Sequence, residues 1–376
     1  MTTRLRLGMV GGGQGAFIGA VHRIAARIDD QFDLVAGCLS SDPDRAAASA
    51  RDIGLQRHYP TYAAMAEAES AREDGIDAVA IVTPNHMHAP VAEAFLKAGI
   101  HVICDKPLTA TLDAANALEK TVAQSGRLFV LTHNYTGYPL IRDARDRVAR
   151  GDLGDLRLVQ VEYIQGWLAT TPEPDQKQAA WRLDPAQAGA GALGDIGTHA
   201  FNLACFVAGQ KVQSVAADVS SIVPGRKIDD NVHAHLRFDG GAKGALWASQ
   251  VAIGHENGLT LRIYGSTGSL TWEQENPNRM VYSRLDEPPQ ILTRGGPGVG
   301  AAGTLATRVP PGHPEGYLEG FATLYTDAAA AIRAHADGTD LPADRHINTV
   351  ADGMAGMRFI DACLRSSKAD GAWTRL

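Results

Sequence analysis

The sequence predicts an α/β chain in two parts: one built on a parallel sheet, then one of α+β character built on a large, mostly antiparallel open sheet. Two observations carry this. Between residues 5 and 132, short apolar runs alternate with amphipathic helical segments, as expected of strands buried on both faces by crossover helices. Beyond residue 156 the pattern changes to a succession of strands bounded by turn residues. The chain has 376 residues, more than one core usually serves, and 45% of them are hydrophobic, enough to fill two cores. The expected division is 1–134 and 135–376.

The first strand, 5–10, runs into Gly11, Gly12, Gly13, Gln14, Gly15, Ala16, Phe17, Ile18 and Gly19 before a helix through His22, Ile24 and Ile28. Glycines let a chain turn tightly and let a pyrophosphate approach the amides at a helix N-terminus, which is the physics of dinucleotide binding. Gly11 and Gly13 fit the first two glycines of G-x-G-x-x-G, and Gly15 and Gly19 are the next candidates, so the turn is lengthened by about three residues. Gln14, Phe17 and Ile18 complete the expected cofactor-facing set. A second strand, 32–39, leads to Asp42 and Pro43 as N-cap and first residue of the next helix. Two such units in register predict an N-terminal Rossmann dinucleotide-binding domain. Where an acidic residue would hold the ribose hydroxyls of NAD, the chain offers Ser40 and Ser41, with Asp42 late and Arg45 the nearest cation. NAD is the expected cofactor and NADP remains possible.

Helices at 62–71, 89–98 and 112–124 and strands at 78–82, 101–104 and 128–132 continue the alternation. Ligands of such sheets bind beyond the carboxyl ends of the strands. There the chain places Thr83, Pro84, Asn85 and His88, then Asp105, Lys106 and Pro107, then His133, Asn134 and Tyr135. His86 and His88 stand one residue apart with no further ligands, so no metal site is expected. Lys106, between a buried strand and a proline, suits a cation that binds a substrate oxygen and stabilises a developing alkoxide.

In the second part, a helix at 140–150 precedes strands at 156–163, 212–221, 231–238, 244–251, 259–264 and 269–272. Helices at 194–209, closed by Gly209, at 317–336 and at 350–365 are expected to cover one sheet face. The uncovered face suggests a homo-oligomer. Residues 274–314 read as a long loop rich in Pro and Gly, functional or an interface arm, with His313 near its end. At 194–199, Gly-Asp-Ile-Gly-Thr-His sets Asp195 and His199 on one face at a helix start, where the dipole favours a carboxylate and a neutral imidazole able to accept a proton. An N-cap Asp195 with a merely packed His199 is the structural alternative.

A net charge of −7 without a basic block excludes a nucleic-acid surface and favours a small-molecule partner. Four isolated cysteines read as thiols in a reducing compartment, and no apolar leader or spanning run is evident, so a cytoplasmic location away from membranes is expected.

With the glycine turn, Thr83-Pro84-Asn85, Asp105-Lys106-Pro107, Trp181-Arg182 and the Gly194 to His199 run in this order, the chain resembles the glucose-fructose oxidoreductase and inositol dehydrogenase (Gfo/Idh/MocA) family over nearly its whole length. The resemblance implies nicotinamide-dependent oxidation or reduction of sugars and cyclitols, and an open sheet used for dimer or tetramer contacts. Lys106 matches the lysine of the family's Glu-Lys-Pro motif, with Asp105 in place of Glu, and Asp195 and His199 match its Asp and His. The runs 133–137 and 312–316 resemble an inositol-oxidising subgroup. A ring hydroxyl is then expected between Lys106 and His199, with His199 as base, Asp195 on a neighbouring hydroxyl or the imidazole, and Tyr135, Tyr163, Gln165, Arg182 and His313 as hydroxyl readers. A nicotinamide-binding regulator, or a lyase or glycosidase using NAD transiently, stays open.

Overall fold

The computed structural model describes residues 3–172 and 181–376. The chain divides into two units, Met1–Asn134 with Phe321–Met354, and Tyr135–Gly320 with Ala355–Leu376. The second unit is therefore not the unbroken 135–376 stretch read from the sequence.

In the first unit β1 (Leu5–Gly11), α1 (Phe17–Ile28), β2 (Phe32–Cys38), α2 (Pro43–Asp52), β3 (Arg57–His58), α3 (Tyr62–Ser70), β4 (Ala78–Val82), α4 (His88–Lys97), β5 (His101–Cys104), α5 (Leu112–Ser125) and β6 (Phe129–Leu131) follow in turn. The sheet order is β3-β2-β1-β4-β5-β6, all parallel. That order reverses direction at β1 and β4, the topological switch point of a dinucleotide fold. Every residue of β4 and β5 is buried, which is why both read as unbroken apolar runs apart from His101. Asp42 caps α2 by accepting from Arg45 N at 2.9 Å, with Pro43 next, as the sequence indicated.

The helix Tyr317–Asp337 departs from expectation. From Phe321 on it belongs to the first unit rather than covering the second sheet. Its apolar positions meet first-unit partners: the Tyr325 ring lies edge-on to Phe32 at 5.6 Å, and its hydroxyl bonds His22 Nδ1 at 2.8 Å. Periodicity predicts that a helix has a buried face, not which sheet receives it.

In the second unit α6 (Pro139–Arg150) precedes β7 (Leu156–Ile164), β8 (Val212–Ser220), β9 (Asn231–Phe238), β10 (Lys243–Ser249), β11 (Gly258–Gly265), β12 (Gly268–Glu273), β13 (Arg279–Arg284), β14 (Gln290–Thr293) and β15 (Thr374–Arg375). The order is β14-β13-β12-β11-β7-β10-β9-β8-β15, antiparallel except for β7 with β10. Strand β9 shows the logic: Val232, Ala234, Leu236 and Phe238 are buried while His233, His235 and Arg237 face out. Residues 274–314 are not one long loop. They hold the hairpin β13–β14 and a helical turn, Ala301–Leu305, and Met280, Tyr282 and Leu292 turn into the core. The helix Thr198–Ala208 carries Phe201, stacked on Phe359 of the helix Val350–Lys368 at 4.4 Å, and ends at Gly209 with φ 62°. Where the short edge strand β15 no longer covers β8, Ala217 N and Val219 N donate to the hydroxyls of Ser366 and Ser367 at 2.9 and 3.0 Å, which occupies backbone that would otherwise invite pairing.

Candidate active site

The first unit carries a dinucleotide cradle. Gly11, Gly12 and Gly15 have φ of 83°, 72° and 78°, where only glycine is unstrained. A Cβ on Gly19 would lie 2.4 Å from Gly12 Cα and O, so α1 approaches the turn as closely as two backbones permit. Gly12 and Gly19 thus fill the close-packing role, which the spacing of Gly11 and Gly13 did not reveal. Gly13 donates to Leu39 O at 3.1 Å, Gly15 faces open space, and Ala16 offers α1 no side-chain cap. A helix N-terminus left open behind a glycine turn fits a pyrophosphate. The Gln14 side chain is bound to Asp52 at 2.6 Å, Phe17 is 64% exposed, and Ile18 is half-buried. Ser40 Oγ accepts from Asp42 N at 3.1 Å, and the Asp42 carboxylate is engaged as the α2 cap.

At the carboxyl ends of β4, β5 and β6 three loops bear polar groups. Asn85 is buried at the start of a tight helical turn, Asn85–Met87, after Thr83 and Pro84. Asp105 Oδ1 accepts from Lys106 N at 2.9 Å and Thr132 Oγ1 at 3.1 Å, and the Lys106–Pro107 peptide is cis. Thr83 Oγ1 and Asn134 Nδ2 are buried with no protein partner, as groups awaiting a cofactor would be. His88 is 0% exposed, with Nδ1 2.8 Å from Pro107 O and Nε2 3.0 Å from Thr83 O. Burial lowers its proton affinity, Asp105 and then the Pro107 and Thr83 carbonyls oppose that, and Lys106 lowers it further. His133 is held to about 3, by burial first and by the Lys106 ammonium second.

The second unit presents Asp195 and His199. Leu193–Gly197 is a π-turn running into the helix Thr198–Ala208, and such widened turns recur at functional sites. Asp195 is not an N-cap. Its own N donates to Gly191 O at 2.8 Å, so the helical backbone is already under way. Capping falls to Asp229, whose carboxylate accepts from Gly191 N and Leu193 N at 2.7 Å each and whose carbonyl accepts from Ala192 N at 3.0 Å. Asp195 Oδ2 instead accepts from Arg182 Nε at 3.1 Å and Gln250 Nε2 at 2.9 Å. His199, 7% exposed, lies edge-on to Tyr135 at 4.9 Å and tilted to Tyr163 at 6.1 Å.

Those rings stand on an amide network. The Tyr135 and Tyr163 hydroxyls are 2.6 Å apart, Tyr163 and Gln165 Nε2 each donate to Asn257 Oδ1 at 2.7 Å, and Asn257 Nδ2 donates to Gln274 Oε1 at 3.0 Å. Burial pushes the Tyr163 phenol well above its ordinary range, so it stays protonated. Asn257, Gln250, Gln274 and Asp229 carried no sequence signal, being single polar residues whose partners are remote in the chain. His313 is exposed, and its carbonyl accepts from Arg294, which pairs with buried Glu315 at 2.8 Å. The 312–316 run is thus a braced loop. Among the described residues no group of His, Cys, Asp or Glu is disposed to hold a metal, and no helix is long and apolar enough to cross a membrane.

Residues 5–135 match the oxidoreductase family with an NAD-binding Rossmann fold, and residues 141–271 match the GFO/IDH/MocA C-terminal domain. An oxidoreductase structure from Sinorhizobium meliloti is 52% identical, covers 99% of each chain and superposes with a TM-score of 0.91. An inositol dehydrogenase homologue from Azotobacter vinelandii, complexed with NADH and myo-inositol, is 34% identical over 100% of this chain and 98% of its own, with a TM-score of 0.94. The uncharacterized oxidoreductase YfiI of Bacillus subtilis is 33% identical over 98% of this chain and 96% of its own. With a Rossmann cradle, a lysine loop and an Asp-His helix inside matches that span most of its length, the chain belongs to the GFO/IDH/MocA family and is an NAD-dependent oxidoreductase.

Proposed function

We propose that this chain oxidises a secondary hydroxyl of a ring polyol to the ketone, with an inositol-type cyclitol preferred and a pyranose sugar next. The observation that carries this is the setting of His199, a buried imidazole walled by Tyr135 and Tyr163 and one helical turn from a carboxylate fixed by Arg182 and Gln250. The full-length likeness to an inositol dehydrogenase homologue supports the substrate class.

In this reading His199 first accepts the hydroxyl proton, Lys106 stabilises the alkoxide so formed, and the carbon-bound hydrogen then departs as hydride. Bound NAD supplies the hydride acceptor. Asp195 holds a neighbouring hydroxyl or the imidazole, and Gln165 and Arg182 offer further polar groups. Tyr135 and Tyr163 act chiefly as walls, since their hydroxyls are engaged with each other and with Asn257. The cradle of Gly11, Gly13, Gly15, Phe17 and Ile18, with Ser40, Ser41, Thr83, Pro84, Asn85, Asp105, Pro107 and Asn134, holds the cofactor. Serines at the ribose position admit NADP as a second cofactor. The chain is further proposed to assemble as a homo-oligomer through the outward face of its second sheet.

The test is a cofactor-by-polyol screen of the purified protein, which is expected to accumulate reduced cofactor with at least one pair. A regulator would accumulate none, and a lyase or glycosidase using NAD transiently would form product without net reduction. His199→Ala and Lys106→Ala should each lower kcat by about 10²–10⁴ with little change in NADH binding. Full turnover in both would overturn the assignment.

A further inference from the structure

Strands β4 and β5 pair from Ala78 with His101 to Ile81 with Cys104, and Asp105 N adds one bond to Ile81 O at 2.9 Å. Beyond that the β4–β5 ladder ends, and the loops that carry Asn85 and Lys106 begin. The His88 ring stands between them, fully buried, with one nitrogen against Pro107 O and the other against Thr83 O. We propose that His88 is a positioning residue that ties the β4 loop to the β5 loop, setting the first for the cofactor and the second, with Lys106, for the substrate oxygen, while touching neither ligand itself.

The chemistry of the ring makes this more than core packing. A main-chain carbonyl only accepts, so the tie needs both ring N–H groups, the imidazolium that Asp105 and the two carbonyls favour against burial, while a neutral ring holds one loop only. The two attachments are therefore separable. An asparagine amide nitrogen falls close to the position of Nδ1 and a glutamine amide nitrogen close to that of Nε2. His88→Asn retains the donor to Pro107 O and releases Thr83 O, whereas His88→Gln does the reverse.

The proposal rests on the reading of Lys106 given above for its effect on turnover, but not for its effect on cofactor binding. In a fluorescence titration with NADH, His88→Asn should bind about tenfold more weakly, the scale of one lost hydrogen bond, and keep kcat at saturating cofactor near the parent value. His88→Gln should bind NADH as the parent does and lose about tenfold in kcat. His88→Leu, with neither donor, should lose both. Parallel losses in the Asn and Gln variants, or none in either, would overturn the tie, as would a failure of either variant to fold, since His88 would then serve the core alone. Should Lys106→Ala keep full turnover while NADH binding still separates the two variants, the reading of Lys106 fails and the tie between loops stands.

Discussion

Four described histidines of the first unit, His22, His88, His101 and His133, are placed where they lose their protons readily. Burial takes His22 down to about 4, with Asp105 opposing. Burial, then His335 and Arg127, take His101 to about 4, and burial and Lys106 take His133 to about 3. A folded-state value below that of the unfolded chain means that the unfolded state binds more protons at intermediate pH. The stabilisation is therefore complete above about pH 6.5 and is lost as the pH falls from there toward 4, at up to about 1.4 kcal/mol per pH unit for each group. The melting temperature is expected to drop by several degrees between pH 7 and pH 4.5. His22→Asn, which keeps a polar group near Nδ1 for Tyr325 but removes the titration, should flatten that slope, and an unchanged slope would exclude His22 as a contributor. At this scale the sequence singles out Lys106 for its proposed role, because a lysine between a buried strand and a proline has few places to go. Gln250 and Asp229 were illegible, because each acquires its role from a partner 55 or 36 positions away.

At the scale of elements, period and punctuation predicted most strands and helices to within a few residues. What they missed follows from how little signal a short element carries. Strands β13 and β14 lie among Pro and Gly, and their inward Met280, Tyr282 and Leu292 are too few to establish alternation. The π-turn at Leu193–Gly197 is equally hidden, since one inserted residue does not alter the apolar run after it. The glycine turn was recognised by composition, but its working pair, Gly12 and Gly19, is defined by approach in space. Gly19→Ala places a methyl 2.4 Å from Gly12 backbone, so the turn must shift. NADH binding is expected to weaken at least about tenfold, read by titration, with the chain still folded, and an unaltered affinity would show that the turn does not depend on this contact.

For the whole molecule, the outward face of the second sheet carries Leu158 at 52% exposure, next to Tyr264 on β11, and Val281 and Ile291 on β13 and β14. A face of this kind on a nine-stranded sheet supports the proposed self-association. Leu158→Glu is expected to shift the parent oligomer toward smaller species in sedimentation velocity, and a parent that sediments as a monomer would sink the proposal. The sequence by itself determined the fold class, the parallel order of supersecondary units and the chemical character of the loops at the strand ends, because these rest on local periodicity, glycine conformations and the rule that parallel strands expose ligands at their carboxyl ends. Tertiary structure alone decided that the helix Tyr317–Asp337 returns largely to the first unit, that Asp195 is held by Arg182 and Gln250 rather than capping, and that His88 joins two loops. The physical reason is common to all three: a hydrogen bond or an apolar contact depends on which groups meet, and chain distance leaves no trace of that in a local pattern.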